Sequence, residues 1–580
     1  MKLRHITYTA LLALVSLSSC NSFLDKVPDT RVELKTPEQL RMLLVNGYPT
    51  SSYSLVGELS SDNVIDNNSP NEDGVRYNLS SYGKIDDEIF AWEEAKASNS
   101  TDSPSSVWEA YYGSIACCNA VLQQIEALEA EGNESSDAAT IRAIKGEALV
   151  LRSYDHFILA NLFCMPYRGA ELSKQYPGIP YVTEPETTVL VQYERGTLDQ
   201  TYANIQKDLE EGLPLINDGL YEVPKYHFNR QAAYAYAARF YLFIRDYENV
   251  LKYADLALGG ADSDPAKYCS DIWSQTSNFS YISDFARYYT NITQARNFML
   301  LPTYSGFWRH FVSSPRYTPN RDAKRATIQG PGPTWDAFQW TNSKTHETFA
   351  MHPAFNGCCG SCSKSEYGTY FAGPVGEMFE YTDKVQGIGY THNVRSEFYG
   401  EETIMCRAEA KAFLGDIEGA VADLKAWEET MRNSPNIGTS ELRRFKTLTL
   451  DLINEFYGTS NPGFGIVKKI HVDEVCPSSR YSVTSNIEPL LQCIYHFRRI
   501  VTVHNGMRFM DIRRLGLEVS HNIGANNRVE VLNTLDPRCA LQIPYDVIAA
   551  GLKGNDRSYS SASGSDASKT TTEKYEMVNK

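Results

Sequence analysis

The sequence predicts a mainly α-helical fold, in which tetratricopeptide-like helical hairpins carry a long loop-rich insertion and only short peripheral strands. Apolar residues recur at steps of three and four over several long segments, which is the period of an amphipathic helix. Sustained alternation of apolar and polar residues, the pattern of a half-buried strand, is missing. A weak internal repeat relates residues 237–254 to residues 407–424.

The helical period is clear in six segments. In the first of them Trp108, Tyr111, Ile115 and Leu122 fall on one face. Such a face is normally buried, so we expect Trp108 and Tyr111 to be core residues. The predicted helical segments cover residues 107–130, 141–163, 198–216, 229–258, 401–429 and 487–504.

The internal repeat predicts two helical hairpins. Aligning the two copies matches Ala238 with Ala408 and Asp246 with Asp416. Each copy predicts a helix, a tight turn and a second helix. The small residues allow close antiparallel packing, as in a tetratricopeptide hairpin. Because the copies are far apart in sequence, we expect a helical frame interrupted by insertions and not a regular solenoid.

The N-terminus is typical of an exported, lipid-modified protein. Lys2 and Arg4 precede an apolar run at residues 10–17, which predicts a signal peptide over residues 1–19. That run is shorter than the roughly 20 residues that span a bilayer. Leu-Ser-Ser before Cys20 resembles a bacterial lipobox, so Cys20 is predicted to carry lipid and anchor the chain to a membrane without crossing it.

The rest of the sequence divides into regions of different composition. Residues 20–555 are predicted to form a single helical domain. Within it, residues 262–392 are rich in proline, glycine and tryptophan, which predicts a loop-rich insertion that carries the ligand site. Residues 556–580 are rich in serine, threonine and lysine and are predicted to be a mobile tail.

Charge and composition favour a neutral ligand. The chain has 71 Asp and Glu against 55 Lys and Arg, a net charge of −16. This excess disfavours nucleic acid and other polyanionic partners. Aromatic residues make up 12% of the sequence, with 37 Tyr and 7 Trp. Their flat apolar faces suit stacking on sugar rings.

Three clustered cysteines leave a metal site open as a possibility. Cys358, Cys359 and Cys362 have a spacing that could bind zinc, form a loop disulfide or remain free thiols. A structural zinc site needs a second pair of ligands, and none follows with matching spacing. The sequence therefore predicts no metal and no cofactor.

Motifs of catalysis are missing from the sequence. It contains neither Gly-x-Ser-x-Gly, nor His-Glu-x-x-His, nor a P-loop. The nearest approach to a P-loop, residues 330–333, alternates glycine with prolines that have no amide N–H to offer a phosphate. We therefore predict a binding protein and not an enzyme.

Four landmarks give the chain a resemblance to the SusD/RagB family of outer-membrane nutrient-binding lipoproteins. The family opens on a lipidated cysteine, has two long helices with Trp, Asn, Glu and Arg at fixed spacings, then a helical pair, then a basic C-terminal motif. The corresponding segments are CNSFLDKVPDT from Cys20, residues 107–122 and 145–167, residues 408–416, and FRRIVTVHNGMRFMDIRRLG at 497–516.

The last landmark departs from the family pattern. Acidic residues usually precede its glycine, whereas this chain has Val503, His504 and Asn505. The later charged residues are retained, and we expect them to form a structural ion-pair network rather than a ligand site. These residues are Arg508, Asp511, Arg513 and Arg514.

The resemblance implies a surface-exposed lipoprotein of the outer membrane. Such a protein captures oligo- or polysaccharide and delivers it to a SusC-like TonB-dependent transporter, with its lipid in the membrane. The alternative is a helical-repeat scaffold or adhesin that binds a protein partner, because helical hairpins also present peptide-binding surfaces.

The candidate ligand-binding residues are aromatic side chains in the irregular segments. They are selected because loops of mixed polar and aromatic composition carry function more often than they form a core. Four tryptophans of the insertion rank first, followed by three tyrosines and one earlier tryptophan. The candidates are Trp273, Trp308, Trp335, Trp340, Tyr281, Tyr289, Tyr304 and Trp92.

Replacing Cys20 with alanine should move the protein from the membrane fraction to the soluble fraction, because the acylated thiol is the only anchor that the sequence predicts. Fractionation of cells expressing the wild type and the C20A variant measures this. Unchanged membrane association of the variant in cells that lack a partner transporter would refute lipid anchoring through Cys20.

Overall fold

The computed structural model describes residues 36–558 with gaps. The signal peptide, Cys20, the cysteines at 358, 359 and 362, and most of the predicted tail lie outside the described residues. The gaps are at residues 71–73, 82, 97–99, 131–137, 187–190, 272–281, 314–315, 320–322, 324–325, 328–329, 336–339, 342–347, 350–375, 431–445, 460–462 and 464.

The first half of the chain is mainly helical. Short 3-10 helices at Leu213–Leu215, Asp218–Leu220, Pro224–Tyr226 and Pro265–Tyr268 connect its longer elements. Those elements are α1 (Pro37–Val45), α2 (Ser54–Leu59), β1 (Ile65–Asp66), α3 (Lys84–Phe90), α4 (Pro104–Ala130), α5 (Ala138–Phe163), α6 (Ala170–Ser173), α7 (Leu198–Gly212), α8 (Arg230–Ile244), α9 (Tyr247–Ala257) and α10 (Ile282–Tyr289).

The second half contains most of the strands. A π-helical turn at Asn454–Thr459 and a 3-10 helix at Pro537–Cys539 lie between its elements. They are β2 (Asn297–Thr303), α11 (Phe307–Ser313), β3 (Tyr317–Thr318), β4 (Trp340–Thr341), β5 (Thr348–Phe349), β6 (Glu377–Asp383), β7 (Ile388–Tyr399), α12 (Gly400–Leu414), α13 (Ile417–Thr430), α14 (Leu450–Ile453), α15 (Val472–Val475), α16 (Glu488–Val501), α17 (Met507–Leu515), β8 (Val519–Ile523), β9 (Arg528–Leu532) and α18 (Tyr545–Ala549).

The mainly helical fold is confirmed. Each of the six predicted helical segments contains a helix or a helical pair, and local capping explains several of their boundaries. Thr197 begins α7 by accepting a hydrogen bond from the Gln200 amide at 3.2 Å, and Asn229 begins α8 in the same way. Among the helices described, none is both long and apolar enough to cross a membrane.

The two predicted hairpins are α8–α9 and α12–α13. Arg245 and Gly415 end the first helix of each pair in the left-handed conformation, with φ of 62° and 89°. Asp246 and Asp416 then cap the second helix through their side chains. Helix α9 packs on α12, so the hairpins are neighbours in space despite their separation in sequence.

A three-stranded antiparallel sheet with the order β2-β7-β6 stands against this helical frame. Strand β7 pairs with β2 from Tyr399 to Asn393 and with β6 from Asn393 to Ile388. Five consecutive residues of β2 are buried, which explains why the sequence shows no alternation there. The β6–β7 hairpin instead extends into solvent.

The C-terminal motif forms the predicted ion-pair network. Asp511 on α17 lies 2.9 Å from Arg498 and 2.7 Å from Arg514, and Arg514 also pairs with Glu409 at 2.7 Å. Arg508 pairs with Asp62 at 2.7 Å. Two further pairs extend the network, because Arg498 contacts Glu402 and Glu402 contacts Arg239.

Arg513 has a different role in the same motif. Its guanidinium donates to the backbone carbonyls of Asn161 and Cys164, at the C-terminal end of α5. These carbonyls have no partner within the helix, so Arg513 satisfies them and fixes α17 to α5. Arg513 therefore departs from the expected ion-pair network, because its guanidinium binds carbonyl groups and not carboxylates.

Replacing Arg498 with methionine should destabilise the fold by about 3 to 5 kcal/mol, because Glu402 and Asp511 would keep a buried charge without its partner. The matched control is Arg528→Met, since Arg528 is half exposed and pairs with Glu93 at the surface. That variant should lose no more than about 1 kcal/mol. Urea unfolding measures both, and equal losses would contradict the structural importance of the buried network.

Candidate functional site

A surface cleft lies beside the β6–β7 hairpin. It has a volume of about 600 Å³, which falls within the range of small-ligand sites. Its walls come from α2, α3, the turn before α4, the segment from Tyr304 through α11, and the two strands of the hairpin. Residues some 300 positions apart in the sequence therefore meet here.

One wall of the cleft is aromatic. Tyr304 follows the last residue of β2, and its amide donates to the Thr50 carbonyl at 2.7 Å, which fixes its position. The ring of Tyr390 on β7 lies edge-on to that of Tyr304, with centroids 4.9 Å apart. Phe379 on β6 completes the wall. The side chains of Tyr304 and Phe379 are 46% and 47% exposed, so both rings are accessible to a ligand.

The same cleft is also lined by two buried carboxyl groups. Asp86 on α3 accepts a hydrogen bond from the Gly83 amide at 2.7 Å, and its Oδ2 lies 3.5 Å from Nε2 of His310. Asp102 accepts a hydrogen bond from the Gly306 amide at 2.8 Å. Backbone amides therefore hold both carboxyl groups in place.

Burial alters the ionisation of these groups. It raises the pKa of Asp86 to about 7, against the opposing effect of the Gly83 amide. Burial likewise raises the pKa of Asp102 to about 6, although hydrogen bonds from Ser305 and Gly306 oppose it. The pKa of His310 falls to about 4, again through burial, so its imidazole is neutral at pH 7.

The cationic side chain of the cleft is already paired. Arg309 on α11 donates to Glu377 on β6 at 2.8 Å. With that guanidinium neutralised and His310 uncharged, the cleft has no positive field for an anionic ligand. Its carboxyl groups and neutral imidazole are instead suited to the hydroxyl groups of a neutral ligand.

Two other cavities are less suitable for a sugar. A cavity behind Phe307, lined also by Arg395 and His504, has a volume of about 50 Å³, enough for very few water molecules. A cleft of about 880 Å³ between α3 and the β8–β9 hairpin is lined by charged groups of both signs. Its single aromatic residue, Trp92, is buried, so it offers no stacking surface.

Two of the predicted ligand-binding residues are core residues, which corrects the prediction for them. Trp92 is 1% exposed, donates from Nε1 to the Ser60 carbonyl and stacks on His521 with centroids 4.0 Å apart. Trp335 is 3% exposed, and its Nε1 donates to the Gly330 carbonyl. Tertiary packing covers both rings, so neither presents a face to a ligand.

The other candidates have different surroundings. Tyr304 lines the cleft. Trp308 is half buried against the core, and Tyr289 lies half buried beneath the guanidinium of Arg296 at 4.4 Å. Trp340 pairs with Phe349 between β4 and β5, and its side chain is outside the described part of the structure. Trp273 and Tyr281 also lie outside the described residues.

Sequence reasoning missed most of the cleft. Phe379 and Tyr390 belong to strands, and residues 377–383 (EMFEYTD) show no regular apolar–polar alternation that would have predicted one. Asp86 and Asp102 are two carboxylates among 71, with no distinguishing pattern. Within the described residues, no group of three or more His, Cys, Asp or Glu side chains is arranged to hold a metal ion.

Comparison with known proteins agrees with this architecture. Residues 22–242 match the SusD-like family described as starch-binding and associating with the outer membrane. A SusD superfamily protein from Bacteroides thetaiotaomicron has 18% identity and a TM-score of 0.54, with 90% of this chain and 100% of that chain covered.

Two further solved structures give the same result. A SusD superfamily protein from Bacteroides vulgatus has 16% identity and a SusD-like protein from Bacteroides fragilis 15%, each with a TM-score of 0.54. Each comparison covers 90% of this chain, with 98% and 97% of the other chain. At these identities the likeness shows a common fold. No curated protein matches the sequence.

The different surroundings of Trp335 and Tyr304 predict different effects of truncation. Trp335→Ala should lower the free energy of unfolding by about 3 to 5 kcal/mol, because it leaves a cavity in the core. Tyr304→Ala should change it by less than about 0.5 kcal/mol, because half of that ring is already in water. Chemical denaturation compares the two, and a stable W335A variant would contradict the burial described above.

Proposed function

We propose that this chain is a member of the SusD-like family, which residues 22–242 match, and that it binds glycans in the cleft beside the β6–β7 hairpin. The observation that carries the proposal is that the rings of Tyr304, Tyr390 and Phe379, of which Tyr304 and Phe379 are about half exposed, line the same cleft as the carboxyl groups of Asp86 and Asp102. The family description, starch-binding, supports the same class of ligand.

The chemistry of the two walls suits a pyranose ring. Its C–H faces are apolar and stack on aromatic rings, while the hydroxyl groups around its edge need hydrogen-bond partners. Large aromatic rings left partly in water are a recognised sign of a binding surface. In this cleft the aromatic wall would bind the ring face, and the carboxyl groups would accept hydrogen bonds from the hydroxyls.

The charge of the cleft favours neutral glycans. Arg309 is the cation of the lining, and Glu377 neutralises it at 2.8 Å. A uronic acid or sulfated sugar would therefore meet Asp86 and Asp102 without a compensating cation. We infer that neutral oligo- and polysaccharides bind in preference to acidic ones.

The proposal includes a place in uptake. Following the family resemblance, we propose that lipid on Cys20 anchors the chain at the cell surface, where it passes captured glycan to a SusC-like TonB-dependent transporter. The family's described association with the outer membrane supports this location. Co-purification of a TonB-dependent transporter with the wild-type chain from detergent extracts tests the partnership, and extracts from cells that lack the chain provide the control.

We also infer binding without catalysis. The carboxyl groups are assigned to hydrogen bonding with hydroxyls, and the described cleft contains no metal-ligand cluster. Incubation of the purified protein with each bound polysaccharide should release no reducing ends. A steady release that Asp86→Asn abolishes would contradict this inference and indicate a glycosidase.

Truncating the aromatic wall should weaken glycan binding while leaving the fold intact. Tyr304→Ala, Tyr390→Ala and Phe379→Ala should each lower affinity about fivefold, since a stacking contact contributes about 1 kcal/mol beyond area burial. Affinity gels containing soluble starch, laminarin, xylan or galactomannan identify the bound polysaccharide, and calorimetry then measures each variant.

Tyr545→Ala is the matched control for this series. Tyr545 on α18 is 68% exposed and does not line the cleft, so its loss should not alter affinity. Wild-type affinity in all three wall variants would show that the glycan site lies elsewhere. Binding of a purified protein partner at Tyr304 and Phe379, with no polysaccharide retained, would favour the scaffold or adhesin alternative.

A further inference from the structure

Asp102 combines three unusual features at the edge of the cleft. Its backbone is in the left-handed region, with φ of 64°, which is uncommon for a residue other than glycine. Its side chain is 3% exposed, and Oδ2 is held by the Gly306 amide. Oδ1 has no hydrogen-bond donor among the residues described. A buried carboxylate oxygen without a donor disfavours the ionised form.

Asp86 lies in the same wall under similar constraint. It is 2% exposed, and its Oδ2 faces both the Gly83 amide and the neutral imidazole of His310. The negative charges of Asp87 and Asp102 also raise its pKa. Two carboxyl groups that line one cleft thus each have a pKa that their surroundings raise toward neutral pH.

The cations near these groups are already paired. On α3, Lys84 lies 3.5 Å from Glu88, and beside β3 the Arg316 guanidinium pairs with Asp66 and Asp87. On α11, Arg309 pairs with Glu377 of β6, and His310 is uncharged at pH 7. Donors from a ligand would therefore be the main new source of stabilisation for the carboxylates.

We propose that glycan binding in the cleft is coupled to ionisation of Asp102 and Asp86, so that the protein binds sugar more tightly at neutral and mildly alkaline pH than at mildly acidic pH. The inference rests on the proposed glycan site and adds its regulation. Both carboxyl groups line the cleft that the sugar would occupy, and Oδ1 of Asp102 has no hydrogen-bond donor among the described residues.

The sign of the effect follows from the hydrogen bonds. A hydroxyl donates to a carboxylate more strongly than to a neutral carboxyl group, so bound sugar favours the ionised form and lowers the pKa of the aspartate. By linkage, binding releases protons, and affinity rises as the pH passes through the range of the free groups. Their pKa values of about 6 and about 7 place that range between mildly acidic and neutral pH.

The test is calorimetric titration of the full mature protein with soluble starch, laminarin, xylan and galactomannan at pH 5.5, 6.5 and 8.0. Wild-type affinity for the retained polysaccharide should be about tenfold higher at pH 8.0 than at pH 5.5, since a shift of one pKa unit corresponds to a tenfold change. At pH 6.5, buffers with different ionisation enthalpies should report proton release on binding.

Two variants and a control identify which aspartate causes the pH dependence. Asp102→Asn imitates the protonated group and should lose most of the pH dependence, leaving only the part that comes from Asp86. Asp86→Asn should reduce the pH dependence in part. Asp262→Asn removes a charge from an exposed loop position and should follow the wild-type curve.

The possible results separate the two proposals. Binding with the same affinity at every pH, or without proton release, overturns the coupling and leaves glycan binding intact. Tighter binding at pH 5.5 overturns it as well. A wild-type protein that binds none of the four polysaccharides at any pH overturns the glycan proposal and the coupling with it.

Discussion

The fold depends on a buried chain of alternating arginines and carboxylates. Each ion pair is at 3.1 Å or less, and the members come from β7, α8, α12, α16 and α17. Buried charges are costly unless every one is paired, so these elements can assemble only in the register that pairs them all. In order, the chain is Arg395, Glu397, Arg239, Glu402, Arg498, Asp511, Arg514 and Glu409.

That register also positions the cleft that we propose as the glycan site. Strand β7 contributes Arg395 and Glu397 to the buried chain at one end and Tyr390 to the aromatic wall at the other. Because the buried ion pairs hold the Arg395 end of β7 in place, they also set how far the β6–β7 hairpin extends into solvent. Arg508 pairs with Asp62, which lies just beyond α2. Leu55 of α2 lines the same cleft. The segments that line the cleft are thus attached to a rigid frame, as binding sites require.

The unusual C-terminal motif is accommodated within this frame. Where the family pattern has acidic residues, His504 adopts φ of 67° and Asn505 donates to the Tyr399 hydroxyl at 2.7 Å. The buried carboxyl group beside Gly506 comes instead from Glu58 on α2, which accepts a hydrogen bond from the Gly506 amide at 3.2 Å. Burial raises the pKa of Glu58 to about 7. An acidic group from another part of the chain therefore lies beside the motif's glycine.

The helices and the two hairpins can be predicted from the sequence alone. These follow from patterns within a few residues of one another, because a helix places positions three and four apart on one face and a cap acts on its own first turn. Exposure has no such local signature. Tertiary packing covers Trp92 and Trp335 while Tyr304 remains open, and it brings Asp86 and Asp102 into one cleft with aromatic rings from β6 and β7. Burial depends on which distant elements pack over a residue, and that packing is set by long-range contacts such as the buried ion pairs.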